Sequence, residues 1–418
     1  MKFIHAADIH LDSPLRGLSR YEGAPADEIR GATRRAFVNM IDLAIEEDVD
    51  FLLIAGDLYD GDWKDHSTGL FFVRQMGRLR EAEVPVFIIH GNHDAASRMT
   101  KHLRLPGNVH VFDSKCPETK LNERLGLAIH GQSFATPAVT EDLSCHYPDP
   151  VADVLNIGML HTAVDGREGH DKYAPCSIAG LLNRDYDYWA LGHVHQREQL
   201  SEDPRICFPG NLQGRHIRES GEKGALVVTA DGSKNTSVEF RCFDVFRWEQ
   251  CNVDLSGQEN WHGALAVAED ALSSCIERAN GTPLAVRFIA RGLTTMHEKL
   301  IARRAQWTDD LRALANDIGN DQAWVEKAII ATSIPGGPTA AIAEGPLAVL
   351  EEVIQILAQE PDSLPGLAES VEALRSKLPS GLRHTSELEE LLQLENRTAL
   401  ASDVRALVLD RLRGEEGQ

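Results

Sequence analysis

Five short clusters in the first half of the chain carry side chains able to hold cations or move protons. They are Asp8-x-His10, Gly56-Asp57-x-x-Asp60, Gly91-Asn92-His93-Asp94, His161, and Gly192-His193-x-His195. Carboxylate oxygens, imidazole nitrogens and an amide carbonyl are the donors that suit borderline-hard divalent ions such as Mn²⁺, Fe²⁺ or Zn²⁺. The clusters contain no thiolate, which argues against a structural zinc knot. A pair of ions explains the number of donors better than a single ion. We read Asp8, His10 and His195 as ligands of one cation, Asn92, His161 and His193 as ligands of a second, and Asp57 as the bridge. Two ions about 3.5–4 Å apart clamp a phosphoryl group, polarise its oxygens and hold a hydroxide that attacks phosphorus in line with the leaving oxygen.

His93 follows the expected ligand Asn92 but need not bind metal. Its imidazole is placed to give a proton or hydrogen bond to the leaving group or a non-bridging oxygen, and we expect Asp94 to orient it and favour its charged form. Taken singly, each of these residues has a plainer explanation. Asp8 could cap a strand end, Asp60 could sit in a solvated turn, and the glycines could merely permit sharp turns. Five clusters in this order, each after an apolar run, make the joint plain explanation a poor one.

The elements that must position them are legible as hydrophobic runs that stop at the clusters. Lys2 to Ala7, Phe51 to Ala55, Val84 to Ile89, Gly126 to Ile129, Val154 to Leu160 and Tyr188 to Leu191 read as buried strands. Helical spacing of apolar residues over about 28–48 and 66–82 separates the first three. Layered α/β proteins present sites at strand ends in this way. Further strands are expected at Gly224 to Thr229, Val238 to Phe243 and Arg247 to Val253, with a helix over 259–279 and a strand over Leu284 to Ala290. We therefore expect a first domain over 1–240 and a small α/β domain over 241–334. The Pro- and Gly-rich stretch 335–346 opens a linker and helical region over 335–418. Its last apolar stripe, from Leu388 to Leu412, either folds on the chain's own body or docks another protein.

With 418 residues the chain suits two or three domains, and 43% apolar content with 18 prolines indicates a folded protein. The net charge of −22 argues against non-specific coating of nucleic acid. It leaves a nuclease open, because bound cations supply positive charge where a phosphate must sit. No apolar run reaches the roughly 18 residues of a membrane span, and the start lacks a secretion signal. Seven dispersed cysteines with no C-x-x-C pair fit a reducing, cytoplasmic location.

The series D-x-H, G-D-x-x-D, G-N-H-D, H, G-H-x-H resembles the calcineurin-like metallophosphoesterase superfamily at Asp8/His10, Asp57/Asp60, Asn92/His93/Asp94, His161 and His193/His195. That resemblance covers about residues 1–235 and implies a four-layer α/β sandwich, two central β-sheets flanked by helices. Ala7 to Leu15, Tyr188 to His195, Pro209-Gly210-Asn211 and Gly221 to Gly224 are similar to the SbcD-type DNA-repair exonuclease family, most of all its YhaO branch. This narrower resemblance implies Mn²⁺-dependent cleavage of DNA phosphodiesters, often from a 3′ end, and a capping domain. It also implies homodimers and an SbcC-like coiled-coil ATPase partner.

From the residues alone the case for DNA rests on scattered cations. Arg16, Arg20, Arg98, Lys101, Arg104, Arg215, His216 and Arg218 lie near the clusters and could contact a backbone, and Arg287 to Arg304 adds local positive charge. Two other readings stay open: a phosphatase or phosphodiesterase for nucleotides or other small phosphate esters, and a structural subunit of an ATPase complex. Trp189 is expected to pack in the core rather than stack on a base.

Overall fold

The computed structural model describes residues 1–13, 31–61, 67–96, 103–165, 173–231, 234–319 and 322–335. Its strands and helices group into two compact units, one formed by the described residues of Met1–Glu249 with Ala279–Ala285, the other by Gln250–Arg278 with the described residues from Val286 onward. The expected C-terminal helices, the linker beyond residue 335, and Arg16, Arg20, Arg98 and Lys101 lie outside the described residues.

The first unit is a sandwich of two six-stranded sheets. One sheet holds β1 (Lys2–Ala6), β2 (Phe51–Ala55), β3 (Val86–Ile89), β4 (Val109–Val111), β11 (Gly224–Ala230) and β12 (Thr236–Cys242), in the order β12-β11-β1-β2-β3-β4. The other holds β5 (Glu118–Asn122), β6 (Leu127–Gly131), β7 (Leu155–His161), β8 (Tyr188–Gly192), β9 (Glu198–Glu202) and β10 (Arg205–Phe208), in the order β5-β6-β7-β8-β10-β9. β1, β2, β3 and β4 run parallel, as do β6, β7, β8 and β10, so their carboxyl ends share a direction within each sheet. Parallel strands buried on both faces require unbroken apolar sequence, and β2, β3, β7 and β8 are buried along their whole length.

Alternation along β1 and β2 decides which core each side chain joins. Phe3, Phe51, Leu53 and Ala55 point between the sheets, where they meet Ile157, Met159, Tyr188 and Ala190. Phe3 stacks on Phe51 with centroids 4.7 Å apart, and Tyr188 meets Phe3 edge-on at 5.5 Å. Ile4, Leu52 and Ile54 point the other way, against helices α1 (Ala32–Glu46) and α2 (Ser67–Glu81). The buried residues of α1, including Ala36, Phe37, Met40, Ile41 and Ala44, follow the spacing of one helical face. Behind the second sheet a third core gathers Phe134, Leu143, Trp189 and Leu181, the last on the short helix α4 (Ile178–Leu182). Trp189 is fully buried and its indole N–H donates to the Leu181 carbonyl at 3.2 Å.

The second unit contains a three-stranded sheet in the order β13 (Arg247–Asp254), β14 (Leu284–Leu293), β15 (Ala323–Ser333), with helices α5 (Trp261–Ala279), α6 (His297–Ala302) and α7 (Arg304–Gly319). α5 buries Ala264, Ala268, Leu272, Cys275 and Ala279, one stripe at helical spacing. Trp261 packs edge-on against Trp307 at 5.6 Å, and its indole N–H donates to Asp310 at 2.7 Å. Arg287, expected to add local positive charge, is paired with Glu326 on β15 through bonds of 2.6 and 2.5 Å. Among the described residues no helix is long and apolar enough to cross a membrane.

Candidate metal centre

All the clusters lie at the carboxyl ends of parallel strands, on both sides of the seam between the two sheets of the first unit. Asp8 and His10 follow β1, and Asp57 and Asp60 follow β2. Asn92 and His93 open the short helix α3 (Asn92–Ala96) after β3, His161 ends β7, and His193 and His195 follow β8. The β1 and β2 exit loops run side by side: Asp8 N–H donates to Gly56 O (3.0 Å), His10 N–H to Asp57 O (3.0 Å) and Leu11 N–H to Leu58 O (2.9 Å). To do so Asp8, His10 and Asp57 adopt φ values of 51°, 46° and 51°, a left-handed conformation that costs non-glycine residues of order 1 kcal/mol or more each. Such strain persists where the surroundings over-determine it, as at ligand clamps.

Two glycines let the strands come this close. A Cβ on Gly192 would lie 1.9 Å from the Ala55 carbonyl oxygen, and one on Gly91 would lie 2.3 Å from Asp57 Oδ1. The bare backbone at both positions is therefore a steric requirement of the site.

The donors converge. Asp57 Oδ2 lies 3.5 Å from His161 Nε2 and 3.9 Å from His10 Nε2, so one carboxylate reaches both halves of the expected ligand set. On the first side, donor atoms of Asp8, His10 and His195 all lie within 4.8 Å of one another. His10 Nε2 faces His195 Nε2 at 3.3 Å, and Asp8 Oδ1 is 3.6 Å from His195 Nε2. On the second side, Asp8, Asp57 and His161 form the corresponding close set, with Asn92 Oδ1 3.1 Å from His161 Nε2. His193 stands at the edge of this side, its ring centroid 5.3 Å from that of His161. Its main-chain N–H donates to both oxygens of Asp8, at 3.2 and 3.0 Å.

The protons on the rings follow from their outer partners. His161 Nδ1–H donates to the Ala55 carbonyl at 3.0 Å and His195 Nδ1–H to Glu219 Oε1 at 2.7 Å. Carbonyl and carboxylate oxygens only accept, so in the neutral form of either ring it is Nε2 that carries the lone pair, on the side of the carboxylates. Lone pairs aimed at anionic oxygens in a buried space call for a positive charge between them. The electrostatics agree: burial opposes charge on His161, yet Asp57 and Asp8 push its pKa up to about 9. Burial alone would raise Asp57, but His161 and His10 hold its carboxyl well below the usual range. Burial raises Asp8 and lowers His10 to about 4. The donor set therefore fits divalent cations: Asp8, His10, Asp57, His161 and His195 could supply oxygen and nitrogen ligands, with Asn92 Oδ1 beside His161 and His193 at the edge of the cluster.

One sequence expectation needs correction. Asp94 does not orient the His93 side chain: its carboxylate is buried and accepts from the N–H groups of Leu58 (3.2 Å), Tyr59 (2.9 Å) and Gly91 (3.1 Å). Once β3 turns into α3, Asp94 points back under the loops, and the acceptor beside His93 is Asp60, 3.0 Å from Nδ1. This contact raises the His93 pKa against the effect of burial. Arg215 lies beside the site. Its side chain is only 14% exposed, and its guanidinium bonds Glu219 at 3.0 Å and approaches Asp60 at 3.8 Å. Arg218 is exposed on the 3₁₀ turn Ile217–Glu219.

Comparison with known proteins places this geometry. A family model described as calcineurin-like phosphoesterase matches residues 1–197, the span that holds all seven expected ligands. The metallophosphoesterase YhaO of Bacillus subtilis (strain 168), itself described as uncharacterized, is 37% identical over 330 residues, covering 78% of this chain and 80% of its own length. The chain belongs to the calcineurin-like metallophosphoesterases. A second family model, the middle domain of metallophosphoesterase YhaO, matches residues 248–333 of this metallophosphoesterase, which include most of β13 and all of β14 and β15. Glu219, which approaches the centre from outside both matched segments, is the residue that sequence reading missed.

Proposed function

We propose that this metallophosphoesterase is a two-cation phosphodiesterase that hydrolyses DNA phosphodiester bonds as an exonuclease, with Mn²⁺ as its working metal. The observation that carries the two-cation part is the position of Asp57 Oδ2 between His10 and His161. When bound, the cations polarise the phosphoryl oxygens and lower the pKa of the attacking water. The chain's own residues do the rest. Asp8, Asp57 and the imidazoles fix the charge at the seam, and Asn92 Oδ1 supplies a neutral donor on the second side. His93, 41% exposed at its side chain and paired with Asp60, holds a proton at the mouth, ready for the leaving oxygen. Asp60 keeps that ring charged and aimed. Arg215, next to Asp60, adds a fixed positive charge behind the pair.

DNA as substrate is supported by the likeness of Ala7 to Leu15 and Tyr188 to His195 to SbcD-type nuclease subunits, and with it come a 3′ polarity, a homodimer and a coiled-coil ATPase partner as parts of the same proposal. One observation favours a second reading, hydrolysis of nucleotides or other small phosphate esters. Arg215, an expected backbone contact, is engaged inside the site, and the chain carries a net charge of −22. A panel of labelled single- and double-stranded DNA, mononucleotides and nitrophenyl phosphate mono- and diesters, each with Mn²⁺ and with EDTA, separates the readings. Metal-dependent shortening of DNA ends is the expected result. Turnover of small esters with intact DNA would overturn the nuclease part.

A further inference from the structure

The stretch from Asn211 to Lys223 contains no expected ligand, yet it builds a cradle around a buried carboxylate. Glu219 is 5% exposed and receives five hydrogen bonds. His195 Nδ1–H reaches Oε1 at 2.7 Å and Arg215 Nη2 the same oxygen at 3.0 Å, while Asn211 Nδ2 (2.9 Å), the Arg215 main-chain N–H (2.7 Å) and Arg215 Nε (3.4 Å) reach Oε2. Lys223, also buried, donates from Nζ to the His195 carbonyl at 2.9 Å. One histidine is thus held at both its ring and its backbone. Burying a carboxylate is costly unless every lone pair is answered, and here the answering groups include a guanidinium and the His195 ring.

We propose that Glu219 is a positioning residue of the metal centre: by fixing the tautomer and ring direction of His195, it sets cation affinity at the Asp8–His10–His195 side. Rotation of His195 away from Glu219, or a shift of its proton to Nε2, would remove the lone pair that faces Asp8 Oδ1 and His10 Nε2. The other side does not depend on Glu219, because His161 takes its orientation from the Ala55 carbonyl. Carboxylates behind ligating histidines typically change metal affinity by about 10–100-fold when removed. The inference rests on the two-cation reading above and adds that the two cation steps are separately controlled.

The test titrates the full-length, metal-stripped chain with Mn²⁺ by calorimetry and by electron paramagnetic resonance. Wild type is expected to take up two ions with the spectrum of an interacting pair. In Glu219→Gln and Glu219→Ala one step should weaken by about 10–100-fold while the other stays within a few-fold, so that the spectrum of an isolated ion replaces the pair and excess Mn²⁺ restores it. Glu219→Asp, which keeps the charge but shortens the reach, should fall between. Glu222→Gln, which neutralises an exposed carboxylate outside the cradle, should change neither step by more than a few-fold. If both steps are unchanged in folded Glu219→Gln, the positioning role is overturned while the two-cation reading stands. If wild type itself binds fewer than two ions, both fall together.

Discussion

His93 Nδ1 lies 3.0 Å from Asp60 Oδ1, whereas Asp94, its neighbour in sequence, is turned away beneath the loops. The two carboxylates therefore have separable effects. Asp60→Asn removes the charge that raises the His93 pKa and should lower kcat at saturating metal by on the order of 10- to 100-fold. Saturation is needed because Asp60 Oδ1 also lies 3.6 Å from His10 Nδ1. His93→Ala should cost on the order of 10²- to 10⁴-fold with metal content unchanged. Steady-state kinetics alongside metal analysis checks both, and loss of metal in His93→Ala would contradict the assignment.

Asp94→Ala acts on the fold instead. It leaves three buried N–H groups, of Leu58, Tyr59 and Gly91, without their acceptor, and should destabilise the protein by about 3 kcal/mol or more. Urea unfolding of metal-free protein gives the value. An unchanged midpoint would show that the loops find other partners.

Gly192 separates backbone tolerance from chemistry. A methyl group there meets the Ala55 carbonyl, which also orients His161, so Gly192→Ala should both cost about 1–3 kcal/mol and weaken metal binding. Gly61→Ala is the comparison for an added methyl group, because nothing among the described residues lies within 4 Å of a Cβ there. Its positive φ adds a local backbone cost, but metal binding should persist.

Acid stability should carry the signature of His5. This ring is fully buried between the sheets, donates from Nε2 to Leu191 O at 3.0 Å and accepts at Nδ1 from the Tyr188 hydroxyl at 2.9 Å. Burial lowers its pKa from 6.5 to about 3. The folded state thus binds this proton less readily than the unfolded state. The stability tied to neutral His5 is complete above pH 6.5, falls as pH drops through that value, and levels off near pH 3. Between pH 7 and pH 5 the loss should be about 2 kcal/mol from this residue. Denaturation curves in EDTA measure the slope, and His5→Asn should flatten it by up to one proton.

The strands that hold the site were readable because each is an apolar run cut off by polar residues, as at Ile54-Ala55-Gly56-Asp57 and Leu191-Gly192-His193. Elements lacking that contrast were not. β9 has the sequence Glu-Gln-Leu-Ser-Glu and lies at a sheet edge, and β15 mixes Glu326 and Lys327 into its apolar residues. α7 was missed because its buried positions, Trp307, Leu311, Ala315 and Gly319, form a thin stripe among polar residues. At the site, residue types at fixed spacing pointed to the convergence of ligands. The identity of a histidine's outer partner depends on tertiary approach. No periodicity links position 219 to 195, and adjacency favoured Asp94 over Asp60 for His93 until the turn into α3 decided otherwise.

Because Asp57 rides on one sheet and His161 on the other, the distance between their donor atoms is a property of how the two sheets are spaced. That spacing is kept by Phe3, Phe51 and Tyr188, rings that never touch a substrate. Trimming one of them would alter turnover by loosening the grip on the cations before it unfolded the chain. Mutational tolerance in this interior is thus governed by chemistry as much as by stability, and variants selected only for folding can be expected to lose catalytic rate silently.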